Sequence, residues 1–186
     1  MEYILKTPVT DETLKKLTAG DTVLLSGTVY TARDAAHLRM TELIKAGKPL
    51  PVDINGAAIY YAGPTPERPG QIIGAAGPTT AGRMDAYTPA LLDRGLKIMI
   101  GKGRRSAAVK DSIVKNGAVY LAAVGGAGAL VAQHIKSAQI ICWEDLGCEA
   151  LRKLTVEALP LTVVIDARGE DLYDLGPENY LNSLNK

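Results

Sequence analysis

The stretch "LKIMIGKGRRSAAVKDSIVKNGAVYLAAV", residues 96–124, decides the fold class by the order of its patterns. "LKIMIG" is a short apolar run bounded by a turn, the pattern of a buried strand. "GKGRRS" is glycine-rich, and Ser106 stands where a helix N-cap belongs. "SAAVKDSIVKNG" then reads as a capped helix that stops at Asn116 and Gly117. "AVYLAAV" returns to the strand pattern. Strand, loop, helix and strand in so short a span point to a mixed α/β domain.

Reading outward supports the same class. Toward the N-terminus, Thr88 and Pro89 mark a helix start as N-cap and N1, and Gly95 marks its end. "GAAIYYAG" and "QIIGAA" are strand candidates separated by the turn-rich "PTPERPG". "RDAAHLRMTELIKAG" has helical spacing, with Ala36, Met40, Leu43 and Ile44 on one face and Gly47 as its stop. "TVLLSGTVYTA", interrupted by Gly27, suggests strand, bend, strand, and Thr10 caps a short helix over "DETLKKL". Toward the C-terminus, "GAGALVAQHI" reads as a helix and "AQIICW" as a strand. "KLTVEALPLTVVIDARGEDLY" reads as two or three strands joined by the turn "ARGE". With no repeat or linker, residues 1–186 are expected to form a single domain, a mixed sheet flanked by short helices.

Bulk composition excludes several partners. Lys plus Arg number 21 and Asp plus Glu 20, a net charge of +1, so the basic excess that nucleic acid or a membrane surface demands is absent. Eight Tyr, one Trp and no Phe leave the core to Ile, Leu, Val and Ala, which favours sheet packed on Ala-rich helices. No apolar run approaches the roughly 18 residues of a membrane span, and "MEYILKTPVT" lacks a signal-peptide pattern. Cys142 and Cys148, on either side of "WEDLG", make neither a disulfide framework nor the ligand set of an iron–sulfur cluster. A reduced, cytoplasmic protein is expected.

Four motifs carry polar groups beside glycines. In "GPTTAGRMDAY", residues 77–87, Gly77 and Gly82 let backbone approach a ligand, and Thr79 and Thr80 offer hydroxyls. Arg83 offers a carboxylate-shaped fork, with Asp85 placed to orient it. The same residues also make an ordinary turn with a surface Arg–Asp pair. In "TARDAAH", Arg33 falls at a strand-to-helix junction, where a cation meets the positive end of the helix and invites an anion. The plain alternative is a solvated Arg beside a capping Asp34, and His37 is expected to pack on the sheet rather than ligate metal. "GKGRRS" puts Lys102 directly after a strand, either as an anion site or as a solvated basic turn. "VGGAGAL" echoes a dinucleotide fingerprint, but Val131 fills the third glycine position and the first spacing is wrong, so close helix packing explains it more simply. Arg33, Arg83 and Lys102 at the ends of three strands, with hydroxyls alongside, suit a small dicarboxylate.

The segments "GDTVLLSGTVYTARDAAHLRM", "IYYAGP", "GPTTAGRMD", "IGKGRRS", "VGGAGAL" and "LPLTVVIDARGEDLY" occur in the order seen in class I fumarases and L-tartrate dehydratases. The chain resembles their β subunit, or the C-terminal domain of the single-chain forms. The resemblance implies a swivelling β/β/α domain and a hydro-lyase that adds water reversibly across the double bond of a short dicarboxylate. It implies a [4Fe–4S] cluster held by an α subunit and not by this chain, a site between the two, and a higher hetero-oligomer. Carried over, Arg33, Arg83 and Lys102 grip substrate carboxylates, Thr79 is the candidate base with Thr80 as its competitor, and Asp85 supports Arg83. An ordinary threonine is too weak an acid for that role, so the base needs nearby cations and a dry, closed site. Arg104 departs from the family's usual Asn. Two other readings stay open: a stand-alone small-anion or nucleotide-binding module, and a non-catalytic structural partner.

Overall fold

The computed structural model describes residues 1–184. Its strands are β1 (Glu2–Lys6), β2 (Thr22–Thr31), β3 (Ala58–Tyr60), β4 (Ile98–Gly101), β5 (Val119–Ala122), β6 (Ile135–Cys142) and β7 (Leu151–Ile165). Its α-helices are α1 (Asp11–Leu14), α2 (Asp34–Lys45), α3 (Thr88–Leu92), α4 (Ala107–Asn116), α5 (Gly128–Gln133) and α6 (Leu172–Leu184). The strands lie in the order β1-β2-β3-β4-β5-β7-β6, and β2 also pairs with β7. The ring β2-β3-β4-β5-β7 therefore closes on itself, and closure removes the unpaired edges that a five-stranded open sheet would expose. Strands β1 to β5 are parallel, neighbour to neighbour. β7 runs antiparallel to β2, β5 and β6.

Alternation along each strand builds two cores. Side chains of period two point to opposite faces. Ile98 and Ile100 of β4 join Val119 and Leu121 of β5, Val23 and Leu25 of β2, and Leu161 and Val163 of β7 in the inner cluster. Met99 and Tyr120, one residue out of phase, face the outer cluster with Met40 of α2, Leu91 of α3, and Val109 and Ile113 of α4. Each fully buried aliphatic side chain is worth about 1.5–3 kcal/mol, so both layers contribute.

The structure departs from the sequence reading in five places. "QIIGAA" is not a strand, because its backbone is committed to a loop: Thr65 N–H bonds Ala75 O, and Ala76 N–H bonds Gly128 O. The C-terminal run is a single long strand, β7, which passes through Pro160 by turning at Ala158 in the left-handed region. The "ARGE" turn leads not to another strand but into α6, a helix that contains Gly176 and Pro177. Tyr87 is the N-cap of α3, with Thr88 and Pro89 one position further in than expected. β2 is continuous, with a register shift between Leu25 and Gly27. Only glycine fits there, since φ is +106° and a Cβ would stand 2.6 Å from Thr7 Oγ1.

Candidate functional site

Parallel strands point their C-terminal ends the same way, and ligands of α/β sheets bind outside those ends. Arg33 follows β2, Lys102 follows β4, and the 77–84 loop is stitched between them. Thr79 N–H bonds the carbonyl of Tyr61, just past β3, at 2.7 Å. Lys102 N–H bonds Thr79 O at 3.2 Å, and Ala81 N–H bonds Lys102 O at 2.8 Å. A 3-10 turn, Ala81–Met84, then carries Arg83. Arg33, Thr79, Thr80, Arg83 and Lys102 thus share one rim.

Two of the three cations are already paired. Arg33 Nη2 lies 3.2 Å from Glu149 Oε1, while Glu149 Oε2 accepts the Ala35 N–H at 3.1 Å. Glu149 therefore supplies the negative charge that the start of α2 and Arg33 both favour. Arg83 pairs with Asp34. Lys102 is exposed and, among the described residues, has no carboxylate within ion-pair distance. Its Nζ stands 3.8 Å from where a Cβ on Gly125 would lie. Thr79 is half-buried and Thr80 exposed.

Polar satisfaction is poor here. Thr31 Oγ1, Arg33 Nε, Asp34 Oδ1 and His37 Nε2 are all buried without a hydrogen-bond partner among the described residues. Buried polar atoms without a hydrogen bond are few in folded proteins, and here four of them cluster within seven residues. His37 is wholly buried, as expected of a packed histidine. Its Nδ1 lies 2.9 Å from Arg33 O and its ring meets Tyr61 edge-on at 5.2 Å. Burial pushes its pKa down to about 4, opposed by the bond to Arg33 O and assisted by the charge of Arg105.

Asp85 requires a correction. It does not orient Arg83; its carboxylate takes Arg105 Nε at 2.7 Å and Ser106 N–H at 2.6 Å. The 3-10 turn aims Arg83 toward Asp34, away from the residue two positions along. The basic turn also divides. Arg104 leaves the rim for α6, pairing with Asp174 and bonding Tyr173 O at 2.8 Å. Arg105 goes inside. Glu149, Arg105 and Tyr173, whose hydroxyl accepts the Gly103 N–H at 3.0 Å, escaped the sequence reading. Nothing local distinguishes Arg105 from Arg104, and Glu149 lies far along the chain from its partner.

"VGGAGAL" is used for packing. A Cβ on Gly128 would come within 2.9 Å of Gly77 N, so the glycine lets α5 abut the threonine loop. A depression of about 490 Å³, lined by Pro64, Ile140, Cys148 and Arg152 among others, opens beside the rim. Cys148 Sγ and Arg33 Nη1 flank Gly63, at 3.4 and 2.8 Å from its absent Cβ. Both cysteines are free thiols. Among the described residues no three His, Cys, Asp or Glu side chains gather as metal ligands, and no helix is long and apolar enough to cross a membrane.

The family model described as the fumarase C-terminus matches residues 2–176. The chain belongs to the fumarase C-terminus family. Within it, the chain is 44% identical over 151 residues to the anaerobic class I fumarate hydratase of Escherichia coli, covering 80% of this chain and 28% of that protein. It is 33% identical over 177 residues to the L(+)-tartrate dehydratase subunit beta of Escherichia coli, covering 92% of this chain and 87% of that one. A Methanocaldococcus jannaschii protein provisionally named as the same subunit is 34% identical, covering 100% of this chain and 98% of its own length. The chain thus spans less than a third of the fumarate hydratase and most of each β subunit.

Proposed function

We propose that this chain is the β half of a hydro-lyase that reversibly hydrates a small dicarboxylate, fumarate to malate foremost, with tartrate or mesaconate in the same class. The observation that carries the reading is one rim holding Arg33, Arg83 and Lys102 beside the hydroxyls of Thr79 and Thr80. Family membership and the near full-length match to tartrate dehydratase β subunits support it.

Each residue has a chemical part. The forks of Arg33 and Arg83 match a carboxylate plane, and Lys102 adds a point charge for the second carboxylate. Asp34 and Glu149 hold the two guanidinium groups in place before substrate arrives. Thr79 takes the proton from the carbon next to a carboxylate, with Thr80 the competing base. That step needs water excluded, and a half-buried Thr79 is not yet dry. Closure comes from a swivelling movement of this domain over a cluster-bearing α subunit, in a higher hetero-oligomer. The α subunit also donates the proton to the departing hydroxyl. Two free thiols, with no ligand set gathered among the described residues, fit a [4Fe–4S] cluster poorly, so the cluster in this proposal belongs to the α subunit alone. Free thiols also agree with a cytoplasmic setting.

Anaerobic co-expression with the α chain tests the proposal. Neither chain alone turns over fumarate, tartrate or mesaconate, and the assembled pair turns over at least one. A cluster-loaded pair inert toward all three would contradict it.

A further inference from the structure

Arg105 is the one cation of "GKGRRS" that the fold takes inside, with its side chain 0% exposed. Burying a guanidinium is costly, and an apolar side chain of similar size is often as stable or more so. What the charge gains here is a set of fixed partners. Nε donates to Asp85 Oδ1 at 2.7 Å and Nη2 to Thr88 Oγ1 at 2.9 Å. The guanidinium carbon sits 5.4 Å from the Tyr61 ring centre and 5.0 Å from that of Tyr120.

Three of those partners each hold a piece of the rim. Asp85 directly follows the turn that carries Arg83, and its second oxygen accepts the Ser106 N–H. The Tyr61 carbonyl receives the Thr79 N–H. The Tyr120 hydroxyl donates to Gly103 O at 3.0 Å, next to Lys102. Arg105 itself lies three residues after Lys102 on the same turn. One guanidinium therefore links the loop bearing Thr79 and Arg83 to the turn bearing Lys102.

We infer that Arg105 is a positioning residue, holding the Thr79–Arg83 loop and the Lys102 turn in one fixed relation so that their groups meet a dicarboxylate in a preset frame. The inference rests on the dicarboxylate reading above. It requires a fork, since two donors point to two different acceptors while the guanidinium carbon lies over two rings, an arrangement a lysine ammonium does not supply.

The test is a kinetic cycle in the assembled α–β pair, with folding of each variant checked by circular dichroism. Arg105→Lys raises KM more than it lowers kcat, and kcat/KM falls roughly 10- to 100-fold, the cost of an ångström-scale misplacement. Adding Arg105→Lys to Arg83→Ala lowers kcat/KM by a clearly smaller factor than in the wild type, because part of its effect passes through Arg83. A merely stabilising role predicts the same factor in both backgrounds. Asp85→Asn and Tyr120→Phe read the same linkage from its two ends and carry the test if Arg105→Lys fails to assemble; each raises KM. Unchanged kinetics in folded Arg105→Lys, or in both end variants, overturns the inference, as does full additivity. Loss in Arg83→Ala with none in Arg105→Lys overturns this inference alone. Wild-type turnover in Arg83→Ala contradicts the dicarboxylate reading and takes the inference with it.

Discussion

The two ends of the barrel treat buried polar groups differently. At the end where β7 finishes, Asp166 is fully buried and its carboxylate is saturated: Arg168 N–H at 2.8 Å, Glu170 N–H at 3.2 Å, Ala19 N–H at 3.3 Å and Arg168 Nη2 at 2.6 Å. At the C-terminal rim of the parallel strands, four polar atoms between Thr31 and His37 are buried without a hydrogen bond, and Lys102 has no carboxylate partner, among the described residues. The first end is closed by its own chain, where Asp171 Oδ2, buried and without a hydrogen bond by geometry, still has Lys110 Nζ at 2.5 Å as its ion-pair partner. The second has bonding capacity left over, at two donors (Thr31 Oγ1 and Arg33 Nε) and two acceptors (Asp34 Oδ1 and the uncharged His37 Nε2), so on the proposed reading an anion is met by the cations and not by all four atoms. Stability and function should therefore separate along the barrel axis.

Substitutions sharpen or break that contrast. At the saturated end, Asp166→Ala strands its donors and should cost about 3 kcal/mol in urea unfolding, toward the low side for a buried pair because Arg168 is half exposed. A loss no larger than that of a surface change would erase the contrast.

His37 ties the rim to pH. Its folded pKa, about 4, lies below the ordinary value of 6.5, so between those values the unfolded chain binds the proton more readily. Its contribution is complete above 6.5 and fades as pH falls toward 4. Stability should drop by about 2 kcal/mol from pH 7 to pH 5 on this account, and His37→Gln should flatten that dependence. Equal pH slopes in both proteins would place the titrating group elsewhere.

Gly128→Ala forces a Cβ toward Gly77 N, and the threonine loop must move. The expected stability cost is about 1–2 kcal/mol, accompanied by a raised KM in the assembled pair. The smallest stability effect belongs to Arg33→Gln, under about 1 kcal/mol, since one orphaned atom leaves with the guanidinium and Glu149 keeps its bond to Ala35. A large loss in melting temperature for Arg33→Gln would make Arg33 a structural residue.

The elements with strong local signals were legible. α2 and α4 end at Gly47 and Gly117 as read, because a helix stop needs only a residue that accepts positive φ. β4 and β5 follow from unbroken apolar runs. Ring closure was not legible, since it depends on β2 using both edges, one of them against a strand far along the chain. "QIIGAA" has a strand's composition and a loop's hydrogen bonds, a choice made by tertiary partners. At the site, the rim residues could be named from their motifs, but their pairings could not. Sequence proximity pairs Asp85 with Arg83, whereas the fold gives it Arg105, 20 residues away.

The central claim is that the rim recognises a doubly negative substrate, and Arg83 is its most exposed arginine, at 50%. The most direct measurement is kcat/KM of Arg83→Ala in the reconstituted pair, alongside its unfolding midpoint. The account predicts a loss worth about 2–4 kcal/mol of transition-state binding, roughly 30- to 900-fold, with the midpoint unmoved. Wild-type turnover in the folded variant would contradict it.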